Sequence, residues 1–291
     1  MLIGFILIMC AARESQARVF VDALGRVVPL PESPQRIVSL APSITETLFA
    51  LGLDREIAGV TMFSDYPAAA LTKPKVGSFI NISLEKVVAL NPDLVIATAD
   101  GNKKELILQL EALGLAVYVV NPQSFEDIFA MVGNVGKITA REEAAHRLVA
   151  DLELRVRQIV SLVQAAQKPR VFFQIGIDPI VSVGRETVHH TLIHMAGGVN
   201  ITQNIHISYP NLSVEEIIDK KPDVIIVSSM KRGGDFINVL REWRKWKNIP
   251  AVTNNRIHII NSDVTDHSSP RIVDGLEALA KIIHPELFAL R

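Results

Sequence analysis

Glu85 and Glu215 stand 130 residues apart, each inside one copy of a repeated pattern. Ile82-Ser83-Leu84-Glu85-Lys86-Val87-Val88-Ala89-Leu90-Asn91-Pro92-Asp93-Leu94-Val95-Ile96-Ala97 is echoed by Leu212-Ser213-Val214-Glu215-Glu216-Ile217-Ile218-Asp219-Lys220-Lys221-Pro222-Asp223-Val224-Ile225-Ile226-Val227. Taken singly, either Glu reads as helix-start chemistry, because the backbone dipole favours a first-turn carboxylate by about 0.3–1 kcal/mol. Glu216 can complete a capping box with Ser213. Taken together, they form two acidic knobs at the same place in two similar lobes, suited to two basic sockets on a symmetric partner. A paired-carboxylate hydrolase is a third reading, but no feature brings the two groups within the roughly 5–10 Å such chemistry needs.

Aromatic residues gather in loops, in a chain that is only 5% aromatic. Phe63-Ser64-Asp65-Tyr66-Pro67, Gly77-Ser78-Phe79-Ile80-Asn81 and Ser208-Tyr209-Pro210-Asn211 carry them. Phe79 and Tyr209 each precede the Glu of their repeat copy by six residues. Equivalent loops of two lobes would face each other across a cleft. Covering ~100 Å² of ring face is worth about 2.5 kcal/mol, so a few rings could hold a large flat ligand. The plain alternative is that each ring anchors its loop on its own lobe.

The histidines point less clearly to chemistry. His189, His190 and His194 share one predicted helix, and the 190/194 spacing suits a metal pair. With no carboxylate evidently aimed at them, an ordinary helix surface is the expectation, and no metal site is assigned. His267 lies in the polar stretch Asp263-Val264-Thr265-Asp266-His267-Ser268-Ser269-Pro270-Arg271, a loop of the kind that contacts ligands. Trp243 and Trp246 sit among Arg241, Arg244, Lys245 and Lys247, where the rings are expected to pack inward and the bases to stay wet.

Enzyme signatures are missing: there is no Gly-x-Ser-x-Gly, Gly-x-Gly-x-x-Gly, phosphate loop or His-Glu-x-x-His. A net charge of −1 forces no basic face, so nucleic acid is not an expected partner. Residues 1–17 read as a signal peptide: Leu2 to Ala12 is apolar but short for a membrane span, and Ser15-Gln16-Ala17 offers small residues at a cleavage site. No Lys or Arg precedes the apolar run. Cys10, the one cysteine, is read as part of that leader in preference to a lipid-anchored cysteine. The mature chain then has no thiol for disulfides, catalysis or cluster ligation, which also disfavours a metallocluster oxidoreductase.

Elements that would position these residues alternate along the chain. Val19–Asp22 and Arg26–Leu30 suggest a hairpin. Arg36–Leu40 reads as a buried strand, followed by a helix opened by Pro42-Ser43, with Ser43 and Glu46 expected to form a capping box. Strands and helices keep alternating, which argues for mostly parallel sheets covered by helices. Residues 139–167 contain no Gly or Pro; a single helix there would be about 43 Å long and act as a strut, the plain alternative being two helices with an unmarked kink. The expected organisation is an N-terminal α/β lobe (18–138), a linking helix (139–167) and a C-terminal α/β lobe (168–291).

In this order and spacing, several stretches resemble the substrate-binding components of ABC importers in the helical-backbone class, the group of cobalamin, ferric siderophore and haem binders. They are Arg36-Ile37-Val38-Ser39-Leu40-Ala41-Pro42-Ser43-Ile44-Thr45-Glu46, Ser64-Asp65-Tyr66-Pro67, Ser83-Leu84-Glu85 with Pro92-Asp93, Arg170-Val171-Phe172-Phe173-Gln174, Ala196-Gly197-Gly198-Val199-Asn200, Tyr209-Pro210 with Ser213-Val214-Glu215, and Ser269-Pro270-Arg271. The resemblance covers essentially the whole chain from Val19 onward. It implies two Rossmann-like α/β lobes joined by one long backbone helix, with the ligand cleft between them. It implies a monomer, exported to the periplasm, without catalysis or cofactor, that passes its ligand to a permease dimer with ATPase subunits. Glu85 and Glu215 would then dock onto the permease. Phe63, Tyr66, Phe79, Gln174, Tyr209, Asp263, His267 and Arg271 would meet the ligand. Cobalamin or a related corrinoid is the expected cargo, with a ferric siderophore or haem as alternatives, and a secreted hydrolase as the rival from another class. Phe79 and Tyr209 replace Trp of the cobalamin binders, and Ile175 and Val181 replace aromatics, so the departures bear on ligand identity.

Overall fold

The computed structural model describes residues 18–228 and 236–289. The expected signal peptide, with Cys10, lies outside the described residues.

A hairpin of β1 (Arg18–Val21) and β2 (Val27–Leu30) begins the described chain. It is fastened to the first lobe by Ala23, whose N–H donates to Val119 O at 3.0 Å. The first sheet has the order β4-β3-β5-β6, from β3 (Ile37–Ser39), β4 (Ile57–Gly59), β5 (Leu94–Thr98) and β6 (Val117–Val120), and all its pairings are parallel. Strands β3, β5 and β6 are buried along their whole length. Continuous apolar runs are what a parallel sheet with helices on both faces demands.

The second sheet is built from β7 (Arg170–Gly176), β8 (Val181–Ser182), β9 (Val199–Asn200), β10 (Val224–Val227) and β11 (Ile257–Ile259). Its order is β11-β10-β7-β8, with β9 also on β7; β8 runs antiparallel and the rest pair parallel. The set β9-β7-β10-β11 thus repeats β4-β3-β5-β6.

The sequence repeat becomes the same local structure twice. Ser83 and Ser213 cap the helices Leu84–Ala89 and Val214–Asp219. Both helices end in a left-handed residue that is not glycine, Asn91 (φ 43°) and Lys221 (φ 44°). The Asp after each Pro then turns back. Asp93 accepts from the N–H groups of Gln35 and Arg36 at 2.7 and 2.9 Å, and Asp223 from that of Arg170 at 2.8 Å. Arg36 and Arg170 return the tie, donating to the helix-end carbonyls of Leu90 (2.6 Å) and Lys220 (2.7 Å). Each first-turn Glu, Glu85 and Glu215, is exposed on the same element of its own lobe.

One helix, Glu142–Val163, lies between the two sheets in the chain. It is shorter than the expected 139–167: 22 residues, or about 33 Å. Thr139, Ala140 and Arg141 instead form the turn that follows the helix Phe125–Ile138. Ala140 takes φ 54° without being glycine, and Arg141 N donates to Gly136 O at 2.7 Å. Absence of Gly and Pro therefore did not guarantee continuity. Gly136 marks the crossing, since a β-carbon there would come within 2.4 Å of Ala145 Cβ.

The helix Glu142–Val163 buries Ala145, Leu152, Ile159 and Val163 on one face. It packs on Phe125–Ile138 from the first half and on Ile272–Ile283 from the second. A single apolar core consequently runs from Leu94 and Ile128 through Leu152 to Phe173 and Leu276. Arg155 reinforces the second contact, donating to Asp274 at 2.7 Å and Glu277 at 3.2 Å. A helix cored into both lobes restrains rotation of one against the other, because packed interiors resist continuous deformation.

Candidate functional site between the lobes

In open parallel α/β sheets, ligands bind outside the carboxyl ends of the strands. Here the loops after β3, β4, β5 and β11 carry residues that meet across the two lobes. Their centre is Glu46, on the helix Pro42–Ala50 that follows β3. The expected capping box of Ser43 and Glu46 is not formed. Pro42 occupies the first helical turn, Ala41 is the N-cap, and no side chain caps the helix. Glu46 instead lies 5% exposed and accepts hydrogen bonds from the opposite lobe. His267 Nδ1 lies 2.9 Å and Arg271 Nη1 3.0 Å from Oε1, and Ser269 Oγ lies 2.5 Å from Oε2.

Arg271 is held on its other side by Tyr66, the guanidinium carbon lying 3.7 Å from the ring centroid. The Tyr66 loop is itself braced from beneath. Ser64 Oγ is bonded to Thr45 (3.0 Å) and Thr61 (2.8 Å), and Lys75 Nζ donates to Ser64 O at 2.9 Å. Burial holds the Lys75 ammonium below its ordinary range, with Asp65 opposing. The His267 imidazole is raised. Burial alone would lower it, but the Glu46 hydrogen bond and the charges of Glu46, Asp263 and Asp266 outweigh that.

Aromatic rings stand on both sides. Phe63 and Tyr66 from the first lobe and Tyr209 from the second are exposed, at 45%, 47% and 54%. The Tyr209 phenol is raised by partial burial and then by the carboxylates of Asp100, after β5, and Asp266. Phe79 behaves differently. It lies half-buried against its own lobe, over Gly101, where a β-carbon would come within 1.8 Å of Cζ. Asn102 Nδ2 holds the backbone there, donating to Phe79 O (3.2 Å) and Leu40 O (3.1 Å). The anchoring reading thus describes Phe79.

Gln174 requires correction. It is 2% exposed, and its amide is already used, accepting from Trp243 Nε1 at 2.8 Å and donating to Gly176 O at 2.8 Å. It braces β7 and Trp243 and presents no side-chain surface to a ligand. His189 also departs from the expected helix surface: it is buried, and its Nε2 lies 2.9 Å from Asp266 Oδ1. That contact joins the helix Val188–Met195 to the segment Asp263–Asp266. Among the described residues, no group of three or more His, Cys, Asp or Glu side chains is arranged to hold a metal ion.

Glu46, Ser269, Asp100 and Asn102 were not singled out from the sequence as site residues. For Glu46 a signal existed. Proline is favoured at the first helical position, so Pro42 places the cap at Ala41 and leaves Glu46 too deep in the helix for a capping box.

Similar proteins carry the same architecture. The vitamin B12-binding protein of Vibrio parahaemolyticus is 29% identical over 246 residues, covering 84% of this chain and 88% of its own. That of Yersinia pseudotuberculosis is 29% identical over 265 residues, covering 91% and 92%. Among solved structures, the periplasmic vitamin B12-binding protein BtuF of Vibrio cholerae superimposes with a TM-score of 0.76 at 28% identity, covering 88% of this chain and 98% of its own. The periplasmic haem-binding protein RhuT of Roseiflexus sp. RS-1 does so with a TM-score of 0.74 at 28% identity, covering 87% and 99%. These likenesses run through both lobes, and the periplasmic binding protein profile matches residues 37–264: the chain belongs to the periplasmic binding protein family, a family of solute binders that catalyse no reaction.

Proposed function

We propose that this protein captures cobalamin or a related corrinoid in the periplasm and delivers it to the permease dimer of an ABC importer, whose ATPase subunits drive uptake. The observation that carries this reading is the pairing of aromatic surface with neutralised charge. Phe63, Tyr66 and Tyr209 offer exposed rings from both lobes, while Arg271, a guanidinium that reaches Glu46 across the lobes among the described residues, is already bound by it. Asp100 and Asp266 add negative potential beside Tyr209. Such a surface suits a large ligand that is neutral or carries positive charge. A polyanionic siderophore calls for uncommitted Arg or Lys, and haem brings two carboxylates of its own. Similarity to proteins named for vitamin B12 supports the same choice.

In this reading Phe63, Tyr66, Phe79, Tyr209, Asp263, His267 and Arg271 line or brace the cleft. Glu85 and Glu215 are the seats for the permease, with no part in ligand binding. Calorimetric titration with cyanocobalamin, run beside haemin and a ferric siderophore, tests the assignment. Binding of cyanocobalamin at micromolar or tighter affinity, with weaker binding of the anionic chelates, is the expected result. Tight haemin binding with no response to cyanocobalamin would transfer the protein to the haem binders.

A further inference from the structure

We propose that Glu46 is a positioning residue: it holds the cleft loops of both lobes in fixed relation before any ligand arrives. Three donors, from His267, Ser269 and Arg271, converge on its carboxylate from the opposite lobe. Two of them lie on the loop after β11 and the third, Arg271, immediately precedes the helix Ile272–Ile283. Arg271 also covers the Tyr66 ring, on a loop of the Glu46 lobe. Glu46 and Tyr66 therefore grip one guanidinium from two sides, and the grip crosses between lobes.

Stability alone is a poor reason for such a group. A buried ion pair recovers its desolvation cost only with excellent geometry, and apolar replacements often do as well. What the arrangement supplies is geometry. The helix Glu142–Val163 fixes the far end of the lobes through the shared core, and the Glu46 cluster fixes them again at the loops. With two separate attachments, the rings of the two lobes keep their spacing without a ligand, which lowers the ordering cost of binding.

This differs from assigning the cargo, and its test does not require one. Spin labels are placed at exposed Gln109→Cys and Asp219→Cys, one in each lobe, in a Cys10→Ser background, and the interlobe distance is measured in the ligand-free protein. The wild-type pair should give one narrow distance distribution. Glu46→Ala should broaden it or shift it outward. Glu46→Gln, which keeps the volume and serves if the alanine variant does not fold, should do so in lesser degree. Combining Glu46→Arg with Arg271→Glu should narrow it again relative to Glu46→Arg alone. If the distribution of Glu46→Gln matches wild type while only its melting temperature falls, Glu46 is an ordinary structural ion pair and the proposal is overturned.

Discussion

The Arg271 guanidinium lies over the Tyr66 ring at 3.7 Å from its centroid, with Glu46 at 3.0 Å on the guanidinium's edge. An aromatic ring at the cleft is thus oriented by a cation from the other lobe. The ring quadrupole attracts the cation with about 0.5–2 kcal/mol, depending on desolvation. Tyr66→Leu keeps an apolar side chain and removes the quadrupole. It should lower urea-unfolding stability by that amount, and Arg271→Lys, which cannot stack a planar fork, should do the same. Unchanged midpoints in both variants would mean that the contact contributes packing alone.

The pH dependence follows from His267, whose imidazole is raised by Glu46, Asp263 and Asp266 against the lowering effect of burial. A raised folded-state value stabilises the protein fully below the unfolded value, about 6.5. That contribution disappears as pH climbs through the raised folded value. Wild type should therefore exceed His267→Gln in stability most at about pH 6, and the gap should shrink as pH rises. Chemical denaturation of both proteins across that range measures it. A gap that widens with pH contradicts the sign.

Much of the framework was legible because it is local or duplicated. Leu94–Thr98 and Val224–Val227 are unbroken apolar runs, and buried parallel strands leave no polar alternation to confuse them. The repeat around Asp93 and Asp223 announced two similar lobes because each Asp bonds to the backbone where a central strand of its own lobe begins, before β3 and at the start of β7. Glu46 was illegible as a site residue for the opposite reason. Its partners lie more than 220 residues away, so local spacing suggested a cap that Pro42 had already displaced. The start of the linking helix failed similarly, since Ala140 adopts a left-handed turn that composition does not advertise. Gln174 was carried over from a resemblance, and only packing shows its amide spent on Trp243.

Glu85 and Glu215 give a prediction that separates docking from ligand capture. Both are exposed at the start of equivalent helices, and single exposed ion pairs contribute about 0–1 kcal/mol. Either alanine variant should leave unfolding midpoints and cyanocobalamin affinity unchanged. Uptake into proteoliposomes carrying a cognate permease should fall modestly in each and further in the double variant, because orientation and encounter depend on both charges. Loss of ligand affinity in either single variant would place that Glu in the cleft instead.

Phe79 and Gly101 provide a pairwise test of how the cleft wall is built. A β-carbon on Gly101 would come within 1.8 Å of Phe79 Cζ, far inside contact distance, so Gly101→Ala must displace the ring. Overpacking of this kind costs about 1–3 kcal/mol. In a Phe79→Ala background the obstacle is gone, and the same substitution should cost little. The double-mutant cycle should then show a coupling of at least about 0.5 kcal/mol. Displaced from its seat, Phe79 would also intrude on the space between the lobes, so Gly101→Ala should weaken cyanocobalamin binding more than Phe79→Ala does. Equal costs of Gly101→Ala in both backgrounds would mean that the ring does not set the requirement for glycine.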